Sequence, residues 1–451
     1  MKRTNKGLVH LIIGLQWGDE GKGKTILDLL ERHKFKVNAR YQGGCNAGHS
    51  LRLPNGDTFV AHTLPSGVLV KEVELLLGNN MVIDPVKLTQ EIDELATLGY
   101  EVWHRLYISK LATLITPYHK LLDKAAEWSK GKKIGTTGSG IGPAYADTAA
   151  RTALKVGMVL DENFEEILKE SFSQSHQALK AYIDAGFDFS IDEQSQFEQE
   201  LENWKKHTIN LRHKHVIDMS KYVQKLLADG VDILAEGAQG VMLDVQFGDY
   251  PYTTSSTTTA HGVFTGLGIG PTNLGAVYGV MKPYVTKVGG GPFPSQISDP
   301  AIEALFQEEG GEVGATTGRK RMCGYVDLVV LRHAIQLHIG FGQMNIIMTK
   351  VDIFPDTVTE MPVITEYIYA GDKRSKTLQF PLSAVTGVVK EKTIIPWKVP
   401  TGTTTYNGEC AGLDVLIGFI HSELNDIRDY FRLDSIGTGP GVGEYILLNT
   451  Q

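Results

Sequence analysis

The stretch Leu11–Thr25, LIIGLQWGDEGKGKT, decides the fold. An apolar run breaks into a loop of glycines, two acids and two lysines. Leu8–Leu15 has the compact apolar character of a strand at the centre of a mostly parallel sheet. Gly18–Thr25 fits the phosphate-loop pattern G-x-x-x-x-G-K-[ST]. Thr25–Arg32 then has helical spacing, with Ile26, Leu27, Leu29 and Leu30 apolar. Strand, glycine loop and helix are the context such a loop needs, because backbone N–H groups and a helix start cradle anionic oxygens. Lys22 and Lys24 are candidate phosphate partners, and Thr25 a helix cap or metal contact. The acids Asp19 and Glu20 are out of place beside a phosphate and need a reason.

Further apolar-then-loop units follow: KVNARYQGG, VDILAEGAQG, GAVYGVMKPYVTKVGGGPFP and MNIIMTKVDIF. Ligands of open α/β sheets sit beyond the carboxyl ends of strands, so these loops are expected to converge on one site. DPVKLTQEIDELATLGY reads as a helix, with Pro85 early, Val86, Leu88, Ile92 and Leu95 apolar, and Gly99 at its end. Asp161 to about Gly230 is polar with helical spacing (Phe164, Ile167, Leu168, Phe172) and reads as a helical excursion without chemistry. No Pro/Ser-rich linker divides the chain. The expected architecture is α/β: a large, mostly parallel central sheet with flanking helices, a phosphate-loop nucleotide fold, and one domain over 1–451.

The 451 residues carry a net charge of −8, which argues against a nucleic-acid or anionic-membrane partner. No window approaches the roughly 20 apolar residues of a membrane span. Three cysteines, Cys45, Cys323 and Cys410, are too scattered for a disulfide framework or a zinc cluster, and a reducing cytoplasmic setting is expected.

Four other pieces carry chemistry. Thr349, Lys350 and Asp352 form T-K-x-D after a strand. A carboxylate there accepts guanine's ring N–H and exocyclic amine together, a donor pair adenine lacks. GATTGRKRMCG, Gly314–Gly324, gathers hydroxyls and cations suited to a small dicarboxylate or phosphate. GGCNAGHS places His49, a group able to move a proton near neutral pH, in a glycine loop beside Asn46. IGTTGSGIGPAY is a further glycine-hydroxyl loop suited to a nucleotide phosphate. Each has a bland counterpart: a packing turn, a capping Asp, a solvated basic loop, a structural His.

In this order, QWGDEGKGK, RYQGG-NAGH, GTTG-GIGPAY, EGAQG, YPY-TSS, VG-GPFP, GATTGR-R and TK-D resemble the adenylosuccinate synthetase family across essentially the whole chain. The resemblance implies GTP-dependent joining of L-aspartate to IMP with Mg²⁺, through a 6-phosphoryl-IMP intermediate. It implies that Asp19 and the Gly48 carbonyl hold the metal. Asp19 would remove the purine N1 proton, and His49, Lys22 and Gln239 would complete the catalytic set. Asp19, Asn46, Thr137, Arg151, Gln239, Thr254 and Arg319 match IMP contacts, Arg151 reaching across a homodimer. Val288, Thr316, Thr317 and Arg319 match the aspartate loop. Gly18, Glu20, Gly21, Lys22, Gly23, Lys24, Gly48, His49, Ser50, Arg321, Lys350, Asp352, Gly437, Thr438 and Gly439 match GTP contacts.

The chain departs from the family pattern at Cys45 (usually His), Ser139 (often Arg), Thr257 (usually Asn) and Gly437 (usually Ser). SIGTGPGVGE also lacks the Asp-Arg pair of the family's STGPDR. A paralogue ligating aspartate to another purine nucleotide such as dGMP, and a non-catalytic nucleotide-binding protein, are the competing readings. Retained Asp19 counts against the first and Ser139 for it. Intact Asp19, His49, Lys22 and Arg319 count against the second.

Overall fold

The computed structural model describes residues 6–131, 134–313, 318, 320–353, 360–394, 405–406, 411–439 and 443–448. Among them a twelve-stranded sheet forms the centre. From one edge its strands run Thr405–Tyr406, Tyr445–Leu448, Phe431–Gly437, Met344–Met348, Leu274–Met281, Val9–Gly14, Ile233–Glu236, Val37–Gly43, Glu74–Ile83, Leu106–Ser109 and His215–Ile217. Thr113–Leu114 pairs with Glu74–Ile83 off this path. Pairing is parallel from Phe431–Gly437 to His215–Ile217, and Tyr445–Leu448 runs antiparallel to its neighbour Phe431–Gly437.

Val9–Gly14 lies in the interior of this sheet, as its unbroken apolar run predicts. Leu11 and Ile13 point into one core and Ile12 into the other, so both faces are covered. The helix Lys22–His33 buries Ile26, Leu27, Leu29 and Leu30 against Leu51 and Phe59. Pro85–Thr97 is helical, with Asp84 accepting the N–H of Val86 at 3.1 Å and Gly99 at φ 83° just past its end.

One expectation needs correcting, and one element had no signal. The excursion is helical over Phe164–Asp184 and Ile191–Asn210, but His215–Ile217 then returns to the sheet edge beside Leu106–Ser109. Three residues are too few to show a strand's alternation. A second sheet of four strands, Val326–Asp327, Glu360–Tyr369, Lys373–Ser375 and Gly387–Ile394, had no motif to announce it.

Parallel order places the carboxyl ends of Val9–Gly14, Val37–Gly43, Ile233–Glu236, Leu274–Met281, Met344–Met348 and Phe431–Gly437 at one end of the sheet. The loops Leu15–Gly21, Gly44–Gly48, Gly237–Gly240, Lys282–Tyr284, Thr349–Lys350 and Thr438–Gly439 all leave from there.

Candidate active site

The opening loop takes left-handed backbone at Gly18 (φ 90°), Asp19 (φ 61°) and Gly21 (φ 88°). Such turns aim successive N–H groups inward. The loop fills part of this nest itself. Glu20, wholly buried, accepts the N–H of Gln16 at 3.1 Å and of Gly18 at 2.8 Å on Oε1. Lys22 Nζ lies 2.7 Å from its Oε2. Glu20 therefore contributes its carboxylate to the loop, and only its backbone is left to face a ligand. Asp19 turns the other way, with its side chain 31% exposed. The two acids thus have different reasons to be present: one builds the loop, one faces the cleft.

The helix begins at Lys22, capped by left-handed Gly21, three residues ahead of the expected start. Thr25 is inside it, donating to the Gly21 carbonyl at 3.1 Å and paired with Tyr445 OH at 2.9 Å. Its hydroxyl is taken up by these two partners and does not cap the helix. Gln16 ties the loop to the next strand end by donating to the Lys282 and Tyr284 carbonyls at 3.0 and 3.1 Å. Thr349 Oγ1 donates to the Glu20 carbonyl at 2.5 Å.

His49 begins the hairpin His49–Arg52/Thr58–Ala61. Its Nδ1 meets the carboxylate of Glu236, the last residue of Ile233–Glu236. Ser66 donates to the same carboxylate through Oγ at 2.6 Å and N–H at 2.8 Å. Burial pushes Glu236 upward, but His49, Arg40 and the Ser66 hydrogen bonds outweigh it and hold the acid below its ordinary value. Arg40, fully buried and opposite Glu236 in the sheet register, donates to the His62 and Thr63 carbonyls. A Cβ on Gly23 would sit 3.0 Å from His49 Cβ, so His49 is packed against the start of the first helix and a larger residue at 23 would have to displace it. Gly48 is half-buried just before His49, and Ser50 is exposed just after it.

Gln239 sits at φ 59° between this hairpin and the opening loop. Both its amide atoms are inaccessible to water and have no hydrogen-bond partner. A buried amide left so costs about 1–3 kcal/mol, a cost a ligand with matching donor and acceptor removes. Asn46 Nδ2 lies 3.5 Å from Thr254 Oγ1, which links two further predicted nucleotide contacts. The Ser/Thr run 253–259 is part of this wall. Ser256 donates to Gln42 at 2.9 Å, and the N–H groups of Thr258 and Thr259 donate to Asp244 at 2.7 and 3.0 Å. Thr137 and Arg151 are both exposed, Arg151 at φ 68° past the helix Ile141–Ala150.

On the other side of the loop, Arg321 bridges two acids. Its Nε lies 2.8 Å from Asp19 and its Nη1 2.6 Å from Glu312. Lys350 Nζ lies 2.8 Å from Glu312. A pocket of about 380 Å³ next to this group is lined by Gly135, Lys287, Val288, Gly289, Gly290, Lys320 and Met322. Burial pulls the Lys287 ammonium down to about 8. Val288 is on the wall of this pocket beside Lys287, whose ammonium donates to the Pro292 carbonyl at 2.7 Å. Thr316, Thr317 and Arg319 lie outside the described residues.

At the far end, Lys24 Nζ donates to the Gly439 carbonyl and sits 4.4 Å from the centre of the Tyr445 ring. Burial draws its pKa down to about 8. A Cβ on Gly437 would meet Tyr445 at 3.3 Å and the Thr349 backbone at 3.4 Å. The family's serine would be tight there, and Gly437 suits the aromatic neighbour. Thr438 N–H donates to the Glu444 carbonyl at 2.9 Å. Asp352 is exposed in the turn Val351–Ile353.

Of the other departures, Cys45 is buried with Val82, Ile115, Ile141 and Ala144, and burial raises its thiol. Ser139 is buried, 4% exposed, a place with no room for an arginine in the same pose. The structure offers no reason for Thr257.

Motif reading passed over Glu236, Ser66, Arg40, Glu312 and Lys282. Glu236 opens the EGAQG stretch and was visible there, but nothing local assigns it to His49, 187 positions away.

Comparison with known proteins gives the family of this fold. A family model described as adenylosuccinate synthetase matches residues 11–440. The adenylosuccinate synthetase of Flavobacterium johnsoniae is 42% identical over 423 residues, covering 92% of this chain and 95% of its own. That of Chlorobium phaeobacteroides is 43% identical over 448 residues, covering 97% and 96%. The solved structure of fully ligated adenylosuccinate synthetase from Plasmodium falciparum superposes with a TM-score of 0.84 at 32% identity, over 98% of this chain and 100% of that one. The cyanophage S-2L succinoaminodeoxyadenylate synthetase bound to dGMP and dATP shares the fold, with a TM-score of 0.61 at 19% identity over 99% of this chain and 96% of that one. The chain belongs to the adenylosuccinate synthetase family, GTP-dependent ligases that join L-aspartate to IMP.

Proposed function

We propose that the loops at the carboxyl end of the sheet form one continuous site. GTP lies along Gly18–Lys24 and IMP against Asn46, Gln239 and Thr254, with Asp19 between them. Aspartate takes the pocket at Val288, with Thr316, Thr317 and Arg319. What supports this reading most is Gln239: a buried amide with neither donor nor acceptor used, on a loop packed against Gly18 of Asp19's loop.

Asp19 takes the N1 proton of IMP. The electron density moved onto the 6-oxygen lets it attack the γ-phosphorus of GTP, and the bond to the β–γ bridging oxygen breaks to release GDP. His49, held by Glu236, donates to the phosphoryl in transit, and Lys22 neutralises charge at the reacting oxygens. The aspartate amine then attacks C6, and the 6-oxygen departs with phosphate. Catalysis is positioning plus preorganised charge.

A divalent cation fits this donor set. Asp19 is an outward-facing carboxylate, and among the described residues no three His, Cys, Asp or Glu side chains gather into a metal cluster. One carboxylate with phosphate oxygens and water is the usual surrounding of Mg²⁺. Asp19 and the Gly48 carbonyl would hold it, and bound there it offsets charge on the β- and γ-phosphates.

Exposed Arg151 suits a role at the IMP of a partner subunit, so the working unit is a homodimer. The whole chain acts as one catalytic domain, in the cytoplasm, where purine nucleotides are made. No described helix is long and apolar enough to cross a membrane.

The phosphoryl step is tested with IMP carrying ¹⁸O at position 6. The label should appear in the released phosphate. Label released as water, with unlabelled phosphate, would remove the 6-phosphoryl intermediate.

A further inference from the structure

Glu312 follows the helix Pro300–Glu309 and is fully buried. Its Oε1 lies 3.1 Å from Lys282 Nζ and 2.8 Å from Lys350 Nζ, and accepts from Tyr284 OH at 2.5 Å. Its Oε2 lies 2.6 Å from Arg321 Nη1. The cations come from separate elements. Lys282 follows the strand Leu274–Met281, Lys350 follows Met344–Met348, and Arg321 precedes Met322–Gly324. Burial drives this carboxyl upward, yet the three cations more than reverse that and hold it well below the ordinary range. One buried anion thus gathers cations from three chain segments at the end of the sheet where the phosphate loop opens.

Arg321 has a second anion, Asp19. Of the two acids Glu312 is the fully buried one, so it holds Arg321 independently of Asp19, whose side chain is 31% exposed. Lys350 is likewise held between Glu312 and the Gly310 carbonyl, each at 2.8 Å.

We propose that Glu312 is a positioning residue for GTP: without touching substrate, it seats Arg321 and Lys350 where the nucleotide meets them. The inference rests on the reading of those two cations as GTP contacts. It makes a prediction opposite in sign to simple charge counting. Removing a negative charge near a triphosphate should, by Coulomb's law alone, tighten GTP binding. Loss of the seat should weaken it, because a cation held in the wrong place stabilises neither bound GTP nor the transition state.

The test is Glu312→Gln, which keeps the side chain's size. The KM for GTP should rise on the order of tenfold, while that for IMP changes by less than about twofold. Glu312→Asp keeps the charge but withdraws it by one methylene, and should give a smaller rise, still selective for GTP. GTP affinity is also measured by equilibrium titration without IMP. An inactive wild type would then sink the proposed reaction and still report on Glu312. A GTP KM and affinity that stay at the wild-type level or improve in Glu312→Gln overturn the proposal, as does an equal rise for all three substrates. Should Glu312→Gln fail to fold, Glu312→Asp decides alone: a GTP-selective loss supports the role, and wild-type GTP affinity overturns it.

Discussion

Arg321 holds its Nε 2.8 Å from the carboxylate of Asp19, so the acid that faces the cleft is already paired with a cation in the protein without ligands. Arg321 also reaches buried Glu312, so it ties Asp19 to the interior of the protein. Its orientation is fixed by left-handed backbone on a loop whose other acid, Glu20, is consumed in holding the turn. The awkward acids of the phosphate loop are one scaffold group, Glu20, and one partly exposed acid, Asp19, proposed to be the reactive group.

Asp19→Asn is the cleanest removal of that reactive group. Asn tolerates the φ of 61° at this position, so the loop should keep its shape. Turnover should fall by roughly 10²–10⁴-fold, the range for losing a positioned general base. Circular dichroism and melting temperature should stay at wild-type values. Activity near wild type would take Asp19 out of the proton-transfer role.

Gln239→Leu should move activity and stability in opposite directions. The substitution removes a buried amide that has no partner in the free protein, so the unliganded melting temperature should hold or rise. The KM for IMP should rise by roughly tenfold or more, about the value of one buried hydrogen bond to a substrate. A marked drop in melting temperature with unchanged IMP kinetics would make Gln239 structural.

Glu236→Gln should slow turnover by loosening His49 and should also destabilise the fold, since buried Arg40 would lose a nearby negative charge. The pH dependence has a fixed sign. Glu236 is held below its ordinary 4.5, so its contribution is present above that value and lost as pH falls through the folded-state pKa. The melting-temperature gap between wild type and variant should be wide at neutral pH and narrow below about pH 4.5. A gap that is constant with pH would mean that the carboxylate charge does not matter.

Lys24, drawn down to about 8, is charged below that pH and neutral above it. Its attraction for a triphosphate should therefore fade, and the KM for GTP rise, as pH passes through about 8. Lys24→Arg keeps its charge throughout and should remove that rise. An identical pH profile for both proteins would place the titrating group elsewhere.

The sheet was readable because its strands are buried on both faces and end in glycine-rich or polar loops, as Leu8–Leu15 and MNIIM do. His215–Ile217 was not, since three residues carry no pattern. In the candidate site, the residues proposed to touch a ligand lie in short motifs and could be proposed from sequence. Residues that hold those groups could not. Glu236 reaches His49 across 187 positions and Lys282 reaches Glu312 across 30, and only the folded sheet brings each pair together.

The central claim is that IMP lies against Asp19, and one assay tests it most directly. The purified protein with Mg²⁺, aspartate and GTP is offered IMP or, separately, dGMP, and the succinylated purine is followed by its absorbance. The account predicts product from IMP and GTP, with little from dGMP. Product from dGMP alone, or none from IMP with either GTP or ATP, would contradict it.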